Sequence, residues 1–296
     1  MGQKDVAEKL LEDYNDVFMD IVNVLLFDGE PLVKEDELVN VKDRSQYKIA
    51  NKLHEQERDV AKFWNKGEVQ IALCGLENQT KIDKDMPLRV MGYDGAAYRY
   101  QLKDDKKARY PVVTMVLYFG KEHWKSRTLH ERLNVPEKVK SYVSDYKINV
   151  FEIAYLEEEQ VELFRSDFRF VADYFVQMRK NGDYKPSRET IRHVDETLKL
   201  MAVLTQDDRF LEAQNELGGS VKNMCEAMDK AEARGEVKKL LTLVCRKLQK
   251  GKTFTVIAEE LEDEPEYIEQ LCRIAEKFAP EYDVEKIYEE LQSVRV

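Results

Sequence analysis

Glu77 and Gln79 stand two residues apart at the end of an apolar run that starts at Val69. In an extended chain such a pair points the same way. The preceding run opens with Glu57-Arg58-Asp59, and Asn65-Lys66-Gly67 supplies a hairpin turn that would bring Asp59 alongside. Two carboxylates at neighbouring strand ends offer oxygen ligands to a hard cation, Mg²⁺ first, with Mn²⁺ or Ca²⁺ as substitutes. The backbone carbonyl of Asn78 is a candidate third ligand. A cation held there would lower the pKa of a bound water and neutralise charge at a scissile phosphate. Gln79 could orient that water or contact the phosphate. Acids at strand ends also serve as solvated, salt-bridged or helix-capping groups, so both readings stand on these residues alone.

Three basic residues, Lys81, Lys84 and Arg89, flank the Gln79 end and are candidate phosphate contacts. An ordinary charged loop would also contain them. Asp16 and Asp20 lie one turn apart on the polar stripe of a helix read over Val6 to Leu26. The alternative for these two is a solvated helix face.

The elements that must position these groups follow from apolar spacing. Val69 to Gln79 is expected to be a central strand with both faces covered. Arg58 to Phe63 is its antiparallel partner, and Arg109 to Gly120 and Lys147 to Tyr155 are further strands. Asp85 is expected to cap a helix running to about Leu102, with Pro87 in its first turn. Gly92 and Gly95 inside it weaken the helix or mark close packing. Leu156 to Lys180 is expected to form one helix with an aromatic face, closed by Asn181-Gly182-Asp183. Residues 32–54 give no clear pattern. The chain beyond Lys185-Pro186-Ser187 is helical throughout, with pieces at Thr190 to Leu204, Val221 to Gln249, Phe254 to Leu261 and Glu266 to Phe278.

Composition narrows the class. The 296 residues are 43% hydrophobic and 35% charged, with a net charge of −11, as expected of a globular α/β protein rather than a fibrous or disordered one. Val112 to Phe119, interrupted by Thr114, is too short to span a bilayer, so no membrane partner is expected. The start Met-Gly-Gln-Lys-Asp-Val has no apolar signal segment, and the four cysteines share no CxxC spacing, so a cytoplasmic protein with buried thiols is expected. His54, His123, His130 and His193 show no metal spacing and are expected to be structural. Signatures of Ser hydrolases, P-loops and dinucleotide sites do not occur.

The order of helix, Asp, and then Glu-Asn-Gln on a strand resembles the PD-(D/E)XK nuclease core. The whole stretch from about residue 12 to 205 resembles, more closely, the Rpn (YhgA-like) recombination-promoting nuclease and putative transposase family. The resemblance rests on Tyr14-Asn15-Asp16-Val17-Phe18, Glu57-Arg58-Asp59-Val60, Leu76-Glu77-Asn78-Gln79-Thr80, Met86-Pro87-Leu88-Arg89 and Tyr110-Pro111-Val112-Val113. Tyr146-Lys147-Ile148-Asn149-Val150, Asp167-Phe168 and Arg192-His193-Val194-Asp195 extend it. It implies a Mg²⁺-dependent DNA endonuclease linked to recombination or mobile elements. Asp59 and Glu77 would be metal ligands, Gln79 would stand where the prototype has Lys, and Asp16 would assist from the first helix. Gln hydrogen-bonds but supplies no charge, so slow or tightly regulated cleavage is expected. A double-strand break needs two sites, so a homodimer is expected.

The implied organisation is a nuclease domain over 1–183, a helical linker over 184–216 and a helical region over 217–296. In that last region Thr255 to Leu261 and Glu266-Tyr267-Ile268 resemble a helix-turn-helix. The start Glu264-Pro265-Glu266 would repel phosphates, which favours packing or oligomerisation. Two other readings stay open: a weak or inactive nuclease fold kept as a nucleic-acid or protein scaffold, and an RNA-cleaving relative.

Overall fold

Apolar runs with both faces covered become the central strands. β4 (Val60–Trp64), β5 (Val69–Cys74), β6 (Val112–Tyr118) and β7 (Asn149–Glu152) join β1 (Leu38–Asn40) in a five-stranded sheet of order β1-β4-β5-β6-β7. β2 (Arg44–Ile49) and β3 (Lys52–Glu57) form a separate antiparallel pair. The computed structural model describes residues 11–41, 44–49, 52–57, 60–74, 80–103, 108–207, 209–210, 213 and 222–294. They fall into two units, 1–226 and 227–296.

The sheet is mixed. β5 runs antiparallel to β4, with Val60 opposite Leu73, and parallel to β6, with Ala72 opposite Thr114. β6 and β7 are also parallel. The β4–β5 turn is the expected one at Asn65 to Gly67, continued by Glu68 in the left-handed region (φ 49°). A Cβ on Gly67 would collide with the Trp64 ring, so only glycine closes this hairpin.

Helix α1 (Asn15–Phe27) stops at Asp28 and Gly29, both at positive φ. Helix α2 (Met86–Gln101) follows Asp85 with Pro87 in its first turn and makes the crossover from β5 to β6. Met86, Val90 and Tyr93 of α2 pack with Val116, Tyr118 and Val150 of the sheet. A Cβ at Gly95 meets open space, so close packing does not explain that glycine.

The segment 156–180 is two helices rather than the single one expected, α4 (Glu158–Leu163) and α5 (Phe168–Asn181). The break has a local cause. The Asp20 carboxylate of α1 accepts the Arg165 and Ser166 N–H groups at 2.8 and 2.7 Å, holding that backbone out of the helical ladder. The polar stripe of α1 is correspondingly not a solvated face throughout. Asp20 and Asn23 are buried, and the Asn23 amide bonds both the N–H and the C=O of Val33. The short helix α3 (Leu129–Leu133) starts with a capping box of Thr128 and Glu131, and α6 (Val194–Thr205) lies in the same unit.

The second unit comprises most of α7 (Met224–Leu248), then α8 (Phe254–Leu261), α9 (Pro265–Ala275) and α10 (Val284–Val294). The sequence pattern did not reveal α10. Its Ile287 and Leu291 are buried with Leu241, Ile257 and Leu271. Cys245 and Cys272 are buried thiols in the same core, and burial pushes both upward in pKa, Cys272 to about 11. Three lysines of the basic cluster are bound internally: Lys238 to Glu285, and Lys247 and Lys252 to Glu260. These two lysines hold the Glu260 carboxyl down at about 2. Among the described residues no helix is long and apolar enough to cross a membrane.

Lys62, on β4, is fully buried. Its Nζ donates to the Asp13 carbonyl and to Asn40 Oδ1, both at 2.6 Å, and lies 5.5 Å from the Phe18 ring centre. Burial lowers its pKa below the ordinary lysine value of 10.5. The unfolded chain therefore binds more protons than the fold between the lowered value and 10.5, and stability must rise with pH across that window. Urea unfolding of wild type and Lys62→Met at a series of alkaline pH values should show the rise in wild type and its loss in the variant. Gly95→Ala should raise stability by about 0.5–1 kcal/mol in the same assay, since the added methyl meets no atom and the glycine only weakens α2.

Candidate functional site

Three segments far apart in sequence meet around the start of α1. Asp16 is in its first turn, Asp167 precedes α5, and Arg192-His193 precede α6. His193 Nε2 lies 3.2 and 3.1 Å from the two carboxylate oxygens of Asp16. The Tyr14 ring stacks on the imidazole, with centres 3.9 Å apart and planes at 27°. The Tyr14 hydroxyl donates to Glu196 at 3.1 Å, and the Glu196 charge raises the phenol's pKa. The buried Asp167 carboxylate accepts the backbone N–H of Arg192 at 3.0 Å and of His193 at 2.6 Å. The imidazole is therefore fixed at its backbone, on one face and at one nitrogen. Side-chain exposures of 17% for Asp16 and 20% for His193 leave this pair reachable but largely shielded.

Asp20, one turn further along α1, is committed differently. Burial raises its pKa, while the two N–H groups from Arg165 and Ser166 favour the charged form. It fixes the α4–α5 break and has no access to solvent chemistry.

Asp59, Glu77 and Gln79 lie outside the described residues. What is described is the pair of strands that leads to them. Asp59 directly precedes Val60, the first residue of β4, and Glu77 follows three residues after Cys74, the last of β5. Val60 is paired with Leu73, so the start of β4 and the end of β5 share one edge of the sheet. Among the described residues no group of three or more His, Cys, Asp or Glu side chains forms a metal cage.

Lys81 and Lys84 are exposed on the segment that enters α2. Arg89 is not a loose surface cation. It donates to Asp83 at 3.0 Å and, through Nη2, to the Tyr93 hydroxyl at 3.1 Å. Tyr93 is buried, whereas Tyr98 and Tyr100 of the same helix are exposed. Tyr98 accepts the Val112 N–H at 3.1 Å and so braces the start of β6.

His193 and Asp167 are the residues that sequence reasoning undervalued. His193 has no metal spacing to another histidine, so local pattern reads it as structural. The available signal was that both fall inside short segments, Asp167-Phe168 and Arg192-His193-Val194-Asp195, on which the family resemblance rests. A second such network holds Tyr146 and Asn149. The Tyr146 hydroxyl donates to buried Asp94, Thr114 donates to the other Asp94 oxygen at 2.6 Å, and Asn149 donates to the Thr114 carbonyl at 3.1 Å. These residues pin α2 and β7 to β6.

Loss of the Asp167 carboxylate would leave two shielded N–H groups without partners. Asp167→Ala should cost about 2–6 kcal/mol, at roughly 1–3 kcal/mol for each orphaned donor. Denaturant unfolding checks this. An unchanged midpoint would show that the Arg192-His193 backbone is held by something else.

Comparison with known proteins supplies one match. A family model described as "Putative transposase, YhgA-like" matches residues 41–205. No curated protein and no solved structure matches the chain.

Proposed function

The chain belongs to the YhgA-like transposase family, which its model matches over more than half of the length, and from this we propose that it is a metal-dependent DNA endonuclease acting in recombination or on mobile elements. The observation that carries the reading is the β4–β5 pairing at Val60 and Leu73. It supports a meeting of Asp59 and Glu77 at one sheet edge, as in a PD-(D/E)XK core. Their donor set, two carboxylates with a backbone carbonyl from Asn78, is the chemistry a hard cation takes. Asp59 and Glu77 would hold Mg²⁺, or Mn²⁺ or Ca²⁺ in its place. When bound, such an ion lowers the pKa of a water and neutralises phosphate charge.

The chain's own residues do the rest. Gln79 hydrogen-bonds water or phosphate without adding charge, so the rate rests on the carboxylates. Asp16 acts from α1, and His193 holds its carboxylate in one orientation. Lys81, Lys84 and Arg89 contact the DNA backbone, with Arg89 already oriented by Asp83 and Tyr93. Cutting both strands of a duplex requires two sites, which a homodimer supplies.

Gln79 also favours a second reading, a catalytically weak nuclease fold that binds nucleic acid or protein. One experiment separates them: supercoiled plasmid incubated with the protein in Mg²⁺ or EDTA, with Glu77→Ala prepared in parallel. The nuclease reading expects nicking or linearisation that needs the metal and is lost, by at least about 100-fold (~2.7 kcal/mol), in Glu77→Ala. Equal traces of cutting in both proteins, or none across divalent metals, would favour the scaffold.

A further inference from the structure

Two cavities adjoin at the carboxyl edge of the parallel strands, sharing Ile82 and Glu122 in their walls. One encloses about 600 Å³ beside Thr80, Lys81, Phe119, Lys121, Phe175 and Arg179. The other, of about 710 Å³, is lined by Lys84, His123, Lys125, Arg132 and their neighbours. In open parallel sheets this edge is where ligands bind.

The charges along the two cavities are one-sided. Lys81, Lys84, Lys121 and Lys125 are exposed, and none is held in an ion pair among the described residues. Of the acids, Glu131 is spent on the start of α3, accepting the Arg127 and Thr128 N–H groups at 2.7 and 3.2 Å. Arg132 is already paired with Asp85. That leaves Glu122 facing four lysines, in a chain whose net charge is −11.

Between the cavities stands a stack of flat side chains. The Arg179 guanidinium lies 4.8 Å from the Tyr155 ring centre, and the His123 ring lies 3.8 Å from the same Tyr155 ring, tilted by 31°. Arg179 is anchored by donating to the Ala154 carbonyl, and Tyr155 by donating to the Lys121 carbonyl, both at 2.5 Å. His123 is the outer layer, with 62% of its side chain exposed. A supported flat ring beside a row of lysines is the combination that binds unpaired strands: stacking takes the bases and the cations take the phosphates. A duplex keeps its bases stacked on one another and has none to offer to His123.

We infer that this double cavity is a track for single-stranded DNA, with a base stacked on His123 and phosphates on Lys84, Lys125 and their neighbours. The inference rests on the nuclease reading for its choice of polymer, and it names unpaired strands as the substrate class.

The test is fluorescence anisotropy in EDTA, where no metal-dependent cutting occurs, using a labelled oligothymidylate and a duplex of equal length. The single strand should bind at least tenfold more tightly. His123→Ala should weaken single-strand binding by about tenfold and leave duplex binding within twofold. Lys84→Gln and Lys125→Gln, both at exposed positions, should each reduce the slope of log K against log salt by about 0.7. Equal affinity for duplex and single strand would overturn the inference, as would unchanged binding and salt slope in all three variants. Binding is read without cleavage, so a protein that shows this preference yet, once Mg²⁺ is added, cuts neither the oligothymidylate nor plasmid overturns the nuclease reading alone.

Discussion

Everything in the first unit depends on β5 having two different neighbours. A strand buried on both faces must place every backbone N–H and C=O in a ladder, because no water reaches it. β5 does so antiparallel to β4 on one side and parallel to β6 on the other. The parallel side forces a crossover, which α2 provides, and the antiparallel side needs only a tight turn closed by Gly67. The consequence is directional. The start of β4 and the ends of β5, β6 and β7 come to one edge of the sheet, and the cavities and the exposed lysines gather there.

Around that sheet, buried polar groups act as cross-links. Asp20 joins α1 to the α4–α5 break, Asp167 joins α5 to the entry of α6, Asp94 joins α2 to β6 and to Tyr146, and Lys62 joins β4 to the segment before α1 and to the end of β1. Each would be costly to bury alone. Each is tolerable because its partners are fixed by elements that already pack for apolar reasons. The result is a first helix whose N-terminal turn is held from three directions, which leaves the Asp16 carboxylate one orientation.

Legibility in the sequence followed the range of the interactions. β4, β5 and β6 were readable because two-faced apolar runs with turn residues between them have few other solutions. Pro87 marked the start of α2 through local chemistry, but the expected Asp85 cap bond is not made, because that carboxylate goes to Arg132 instead. The break at Phe164 to Asp167 was not readable, because its cause is a carboxylate 145 residues away in the chain. For the same reason Asp20 and Asn23 looked like a solvated stripe. Hydropathy registers their polarity, but not that Ser166 and Val33 supply the partners. α10 has a strongly two-sided pattern, yet its apolar residues are spread among acids and acquire meaning only beside Leu241 and Leu271. Around Asp16, His193 was not legible, since its place comes from stacking on Tyr14 and pairing with Asp16 across the fold.

Electrostatics separates the two units by how their cations are used. In the second unit Lys238, Lys247 and Lys252 are drawn onto Glu285 and Glu260, and Arg234 lies over the Tyr288 ring with its guanidinium 3.5 Å from Glu285. A phosphate approaching that face would have to compete with carboxylates already in place, so the basic cluster in the sequence overstates the charge presented to solvent. In the first unit the exposed lysines around the sheet edge stand near acids already engaged elsewhere, Glu131 in the cap of α3 and Asp85 with Arg132, with Glu122 left to face them. The same residue type, at similar density in the sequence, thus serves cohesion in one unit and leaves an open positive surface in the other. Net charge alone would have placed any nucleic-acid contact low on the list. The placement of Glu131, Asp85, Glu260 and Glu285 decides where such contact is electrostatically cheap, because a cation already paired must be stripped of its partner before it can serve a phosphate.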